Sequence, residues 1–114
     1  MDLAIRRAAV SPCRHKMGAV LASGRRVLGA HYNVQRNSPV IDFQNATFHA
    51  EEAVLRRVRN PSGAIAYVAR VNASGIPMLA RPCPRCQKIL ADAGVAGAYY
   101  TTSSDAIEYM AIGR

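Results

Sequence analysis

Phe48–Val58 reads FHAEEAVLRRV, a histidine and a carboxylate two residues apart at the point where a helical apolar pattern begins. Further along, Arg81–Leu90 reads RPCPRCQKIL, two cysteines three apart that also open a helix. Two ordinary amphipathic helices and two halves of one metal site are the competing readings. The choice between them decides both the fold and the chemistry.

The residue types favour the metal. Cys83 and Cys86 share one side of a helical turn, so both thiolates can grip one ion. Thiolates at a helix N-terminus are stabilised by the positive end of the dipole and by the N–H groups that have no partner in the helix. Pro82 and Pro84 suit that start, because proline is tolerated in the first turn. His49 begins the other helix and can supply a third, neutral nitrogen ligand. Two thiolates and one imidazole leave the fourth tetrahedral position open to water, as in catalytic zinc sites. Glu51 stands two residues beyond His49 and can take a proton from that water without ligating the ion. A disulfide at PCPRC would make this a thiol-redox protein instead, and would leave the His-x-Glu helix unexplained.

The rest of the chain is consistent with a single domain over residues 1–114. Its 114 residues are 50% hydrophobic, enough to bury a core without disulfide staples. No apolar run is long enough to span a membrane, and MDLAIRRAAVSP holds no signal-peptide core. The expectation is a cytoplasmic protein. In a reducing compartment C-x-x-C is metal-binding or redox-active, whereas Cys13, alone in SPCRHK, reads as a small packed thiol. The net charge of +8, mostly arginine, favours anionic partners such as phosphates or nucleic acid. An arginine-rich surface with no ligand is the plain alternative, and the scatter of the basic residues along the chain weakens the nucleic-acid reading.

The order of elements predicts the layers. Asp2 is placed to cap a first helix running to Val10, with Pro12 ending it. MGAVLAS and RVLGAHYN are two strands joined at Ser23-Gly24-Arg25, and their near-continuous hydrophobicity implies cover on both faces. Val34–Phe48 shows no period; a connection of that length ending at His49 is read as functional. A helix from about Ala50 to Arg59 follows, then strand AIAYVARVN and a short return through IPMLA. A helix from Pro84 to Ala93 comes next, with Gly94 as its stop. VAGAYYTT is a strand, and SSDAIEYMAI is predicted as a last helix from its Asp105–Glu108 spacing. Helices alternating with strands imply an α/β class with parallel pairing in the second half.

At His49-Ala50-Glu51 and Pro82-Cys83-Pro84-Arg85-Cys86 the sequence resembles the H-A-E…P-C-x-x-C pattern of the cytidine/deoxycytidylate deaminase superfamily. The likeness runs from about Lys16 to Thr102 and includes KMGAVL leading into a strand pair before the H-A-E helix. It implies a three-layer α/β/α cytidine-deaminase-like fold with a central mixed sheet of four or five strands. It implies Zn2+ on His49, Cys83 and Cys86, and hydrolytic deamination of a nucleobase through zinc-activated water. Glu51 is then the proton shuttle.

By the same resemblance the substrate-binding candidates are Asn33, Ala50 through its backbone N–H, Phe48 and Pro82. Phe48 fits a stacking role or a core role equally. Tyr99 or Tyr100 could line the pocket, and Arg81 could meet a phosphate or simply be solvated. A homo-oligomer is also implied. Three features depart from the family. Asn72–Ala80 is longer than the usual link, and the short tail after Tyr100 suggests a missing or reduced fifth strand. No second zinc or effector cluster is apparent.

The first substrate reading is a free cytosine or deoxycytosine nucleotide or nucleoside. The alternative is a polynucleotide, single-stranded DNA or RNA, deaminated at cytosine or adenine. Net charge speaks for the polynucleotide; 6% aromatic content with no Trp speaks against it. An aminopyrimidine intermediate of cofactor synthesis also stays open.

Overall fold

The computed structural model describes residues 1–11, 16–35, 47–48, 50–103 and 106–112. Helix α1 (Asp2–Ala9) precedes strands β1 (Lys16–Ser23) and β2 (Arg26–Tyr32). A ribbon of β3 (Val34–Gln35) and β4 (Thr47–Phe48) leads into helix α2 (Ala50–Leu55). Then come β5 (Ile65–Val71), β6 (Pro77–Met78), helix α3 (Pro84–Asp92), β7 (Gly97–Thr101) and β8 (Ile107–Ala111).

The strands lie in the order β2-β1-β5-β7-β8, with β6 also paired to β5. β1 is antiparallel to both β2 and β5. The expected parallel pairing occurs between β5 and β7, which α3 connects as a crossover. β8 returns antiparallel to β7. The sheet is therefore mixed, as an α/β fold of the expected kind requires.

Burial explains the near-continuous hydrophobicity of β1. Ala19 and Leu21 point to one face, where they meet Ala50 and Val54 of α2, Leu90 of α3, and Ala66, Val68, Ala98 and Tyr100 of the sheet. Val20, between them, points to the other face and meets Ala4 and Ala8 of α1 with Ala69 and Val71 of β5. Alternation along one strand thus feeds two cores, with helices above and below. α1 lies so close to β1 that a Cβ at Gly18 would run into the Ala4 carbonyl oxygen and the Ala8 amide nitrogen.

Local signals set most element ends. Gly24 turns β1 into β2 at φ 59, a conformation few other residues accept. α3 stops in a Schellman motif: Val95 N–H donates to the Leu90 carbonyl at 3.0 Å, Gly94 N–H to Ala91 at 3.0 Å, and Gly94 has φ 86. Val95 and Leu90 both enter the core, which completes the motif's apolar contact.

Four expectations need correction. SSDAIEYMAI is not a helix, because Ile107–Ala111 forms β8. Its register, Tyr99↔Tyr109 and Gly97↔Ala111, supplies ladder bonds and a Tyr99–Tyr109 ring contact at 4.8 Å that an isolated short helix could not match. The fifth strand is thus present, and β6 adds a sixth; Asp105, the supposed cap, lies outside the described residues. α2 ends at Leu55, short of Arg59, and the chain continues in tighter turns, Arg57 N–H to Val54 O and Val58 N–H to Leu55 O. Asp2 does not cap α1; Met1 holds that place without a side-chain bond, and Asp2 sits in the first turn, where its charge suits the dipole. Pro12 and Cys13 lie outside the described residues. Among the described residues no helix is long and apolar enough to cross a membrane.

Candidate active site

Strand register brings several chain ends to one end of the sheet. Gly18↔Tyr32 places the end of β2 beside the start of β1, and Lys16↔Val71 places the end of β5 there too. β7 runs parallel to β5, so it also ends on that side, at Thr101. Ligands of open α/β sheets bind outside the carboxyl ends of parallel strands. The helices agree with this. Leu55 and Arg56, at and just past the end of α2, and Ile89, Asp92 and Ala93, along the last turn and cap of α3, wall one shared surface depression. The two helices therefore point the same way. Their opposite ends carry Ala50 and Glu51 on one, Cys83 and Cys86 on the other.

The cysteines are held by the local structure expected of them. Cys83 is the N-cap of α3 in extended conformation, and its Sγ accepts a hydrogen bond from Cys86 N–H at 3.5 Å. Pro84 follows in the first turn. Cys86 is fully buried and Cys83 half-buried, and no disulfide joins them. Pro82 is buried as well, and its carbonyl accepts from Gln87 Nε2 at 2.8 Å. That bond ties the segment before the cap to the helix after it.

The long Asn72–Ala80 segment delivers this helix start. Asn72 Oδ1 accepts from Ser74 N–H at 2.9 Å and Ile76 N–H at 3.0 Å, and Gly75 takes φ 81, which turns β5 back into β6. Thr101, at the end of β7, then joins three strands. Its Oγ1 donates to the Met78 carbonyl at 2.7 Å and accepts from Arg70 N–H at 3.1 Å. Its own carbonyl accepts from Ala80 N–H at 2.9 Å. The chain reaches Pro82 and Cys83 immediately after that anchor.

Asn33 sits at the same end of the sheet, 2% exposed. Its Oδ1 accepts from Met17 N–H at 3.0 Å and from Ser11 Oγ at 2.5 Å, while Ser11 Oγ also reaches the Asn33 carbonyl at 2.9 Å. Oδ1 is thus committed to the fold. The β3–β4 ribbon, in register Val34↔Phe48, brings the chain leaving Asn33 alongside the chain entering α2. There Ala50 is fully buried, and Glu51 is 1% exposed. A carboxylate so removed from water is costly to the fold and marks a candidate for chemistry. His49 lies outside the described residues, as do the Phe48 side chain and His15.

Among the described residues no three His, Cys, Asp or Glu side chains form a metal-binding group. The donor chemistry of the described pair nevertheless fits zinc: two cysteines three apart at a helix start, one Sγ already accepting an N–H bond.

Other candidates go elsewhere. Tyr100 belongs to the core under α2 and α3. Tyr99 stacks on Tyr67, with ring centroids 5.4 Å apart, and touches Tyr109. Tyr67 packs with the α1 core, so this aromatic row lies on the opposite face of the sheet from α2 and α3. Arg81 is exposed. Sequence reasoning missed Ser11, Gln87 and Thr101. Ser11 and Thr101 act across 22 and 31 residues of chain, and neither carries a local signal for that. Gln87, one residue past Cys86, carries a local signal, a side-chain amide in the first turn of α3 that reaches back to the Pro82 carbonyl.

Residues 1–102 match the family described as the cytidine and deoxycytidylate deaminase zinc-binding region. Among solved structures, the chain resembles dCMP deaminase from the cyanophage S-TIM5 in apo form. The TM-score is 0.66 and the identity 25%, over 87% of this chain and 76% of that one. The same phage enzyme in complex with dCMP and dUMP aligns at TM-score 0.59 and 20% identity, over 84% and 76% of the two chains. No curated protein matches the chain.

Proposed function

Because the chain belongs to the cytidine and deoxycytidylate deaminase family, we propose that it hydrolytically deaminates a free cytosine or deoxycytosine nucleotide, or its nucleoside. The observation that supports this is a buried Glu51 in the first turn of α2 and a Cys83–Cys86 cap at the start of α3, two helices that pack on the same face of the sheet. The dCMP deaminase likeness, at 25% identity, supports the substrate class. A positively charged protein also suits a substrate with a 5′-phosphate.

His49, Cys83 and Cys86 would hold Zn2+, which when bound makes a water nucleophilic near neutral pH. Glu51 takes one proton from the attacking water to the adjacent ring nitrogen and then carries the remaining hydroxyl proton to the exocyclic nitrogen. Water oxygen adds at the amine-bearing carbon, the carbon–nitrogen bond breaks, ammonia leaves, and a carbonyl remains. Burial of Glu51 keeps bulk water from competing for that proton. The Ala50 N–H holds the base carbonyl, and the Asn33 NH2 end holds base or sugar. Phe48 stacks on the base, and the buried Pro82 closes the wall beside the cysteines. The proposal includes a single domain over residues 1–114, working in the cytoplasm as a homo-oligomer.

The test is ammonia release from purified protein of measured zinc content, with dCMP, CMP, deoxycytidine and cytidine as substrates. Close to one zinc per chain is expected, with turnover of at least one of the four. Glu51→Gln should keep the zinc and the fold while losing roughly 10²- to 10⁴-fold in rate. Folded, zinc-loaded protein that releases no ammonia dependent on Glu51 from any of the four would overturn the reading.

A further inference from the structure

The arginines that are scattered in sequence meet along one margin of the fold. β2 is an outer strand of the sheet, so among the described residues one of its edges carries no neighbouring strand. It starts at Arg26, directly after Arg25 in the turn, and both are exposed. Partway along, the chain beyond α2 crosses it. A Cβ at Gly29 would come 2.8 Å from Val58 Cγ2, so Val58 seats directly on the strand. The residues on either side of Val58 are the exposed Arg57 and Arg59. Arg57 reaches His31 Nε2 at 3.0 Å. Arg7 of α1 approaches from the opposite layer; burial first, then the charges of Arg57 and Arg7, hold the His31 pKa below its usual value. Positive potential is thus concentrated on this edge from both faces.

No described acidic side chain belongs to the strand. Asp92 ends α3, Glu108 lies on β8 at the far margin, Glu51 is buried, and Asp2 is in the first turn of α1. From Arg26 to His31 the strand extends roughly 17 Å at about 3.3 Å per residue, long enough for several successive phosphates. At its upper end the His31 and Tyr32 rings lie 4.6 Å apart, half-buried. The next residue is Asn33, at the candidate active site.

We propose that this margin is a docking track for single-stranded nucleic acid. Arg26, Arg59, Arg57 and Arg7 meet successive phosphates, and the His31–Tyr32 pair meets a base. Arginine binds phosphate through a planar fork, and aromatic faces accept any base, so the track reads charge and stacking and not sequence. The choice of nucleic acid over other polyanions rests on the nucleobase reading of the adjoining site; binding itself does not require turnover.

The number of contacts sets the salt dependence. For single strands the slope of log K against log salt is about −0.7 per phosphate contact. Four contacts give a slope of about −2.8, or roughly a 50-fold loss of affinity between 50 and 200 mM salt.

The experiment is fluorescence anisotropy of labelled oligo-dT, which has no amine to lose, on the zinc-loaded full chain across that salt range. The double variants R26Q/R57Q and R26Q/R59Q should reduce the slope to about −1.4 and the loss to about 7-fold. Lys88→Gln, exposed on α3, should leave both unchanged. Unchanged melting temperatures exclude misfolding as the cause. Salt-independent or absent binding, or equal loss in K88Q, would overturn the track. So would poly-glutamate binding as tightly as oligo-dT, since the margin would then read charge alone. The two proposals separate cleanly: oligo-dT binding without turnover of any of the four substrates sinks only the deaminase reading, and turnover of one of them without oligo-dT binding sinks only the track.

Discussion

Replacing Asn33 separates the clasp that its Oδ1 makes from the ligand contact proposed for its NH2 group. Asn33→Ala removes Oδ1, which accepts from Met17 N–H at 3.0 Å and Ser11 Oγ at 2.5 Å. Ser11 is not stranded by this, since its hydroxyl keeps the Asn33 carbonyl at 2.9 Å. Met17 N–H does lose an acceptor beside a buried site, at a cost of about 1–3 kcal/mol. With the small void added, a total of about 2–3 kcal/mol is expected, or about 8–12 °C in Tm for a chain of this size. Ser11→Ala removes a single hydroxyl and should cost only about 1 kcal/mol. Asn33→Asp is the discriminating variant. A carboxylate can accept from both Met17 and Ser11, so the clasp survives, but the NH2 donor is gone. The assay pairs thermal melts with steady-state ammonia release from the best substrate. Asn33→Asp should melt far closer to wild type than Asn33→Ala does, yet lose at least tenfold in kcat/KM. An Asn33→Asp enzyme with wild-type kcat/KM would show that Asn33 is a clasp and nothing more. An Asn33→Ala protein with unchanged Tm would refute the clasp.

Further outcomes follow from close contacts and charge. Gly18→Ala drives a Cβ into backbone atoms of Ala4 and Ala8, which cannot rotate away, so α1 must shift. A loss of about 2–3 kcal/mol is expected, and a melting temperature within error of wild type would refute that packing. Gly94→Ala must adopt φ 86 with its Cβ only 3.1 Å from Ser62 Cα; about 1–2 kcal/mol should be lost in chemical denaturation. His31 has its pKa lowered by burial and then by Arg57 and Arg7, so the folded state binds fewer protons there than the unfolded state. Its contribution is full above the unfolded value near 6.5 and is lost as pH falls through the lower folded value. Melts between about pH 8 and pH 5 should show stability falling with acid, less steeply in His31→Gln, and equal slopes in the two proteins would count against the assignment.

Where neighbouring residues supply the forces, the sequence was legible. Pro84 at N1, Cys83 as cap and Gly94 as stop delimit α3 almost as expected, because capping involves only groups within a turn of each other. The β1–β2 hairpin is likewise written in Ser23-Gly24-Arg25. The end of the chain was misread for the complementary reason. AIEYMAI has apolar spacing that suits a short helix locally, and only β7, which supplies the ladder and Tyr99, makes it a strand. Thr101 and Ser11 were illegible because hydrogen bonds across 31 and 22 residues leave no trace in local pattern. Asn33 was named for a ligand role, and its Oδ1 proves to be holding the fold.

By itself the sequence determined the donor chemistry of the candidate site, its two helix starts and the alternating α/β class. All three are properties of residue type and short spacing. Tertiary structure alone decided that β8 is a strand and that Asn33 Oδ1 clasps Ser11 and Met17. It also decided that arginines far apart in sequence share one sheet margin. Each of these depends on which distant segments meet, and that is set by register and packing across the sheet and not by any stretch of chain alone.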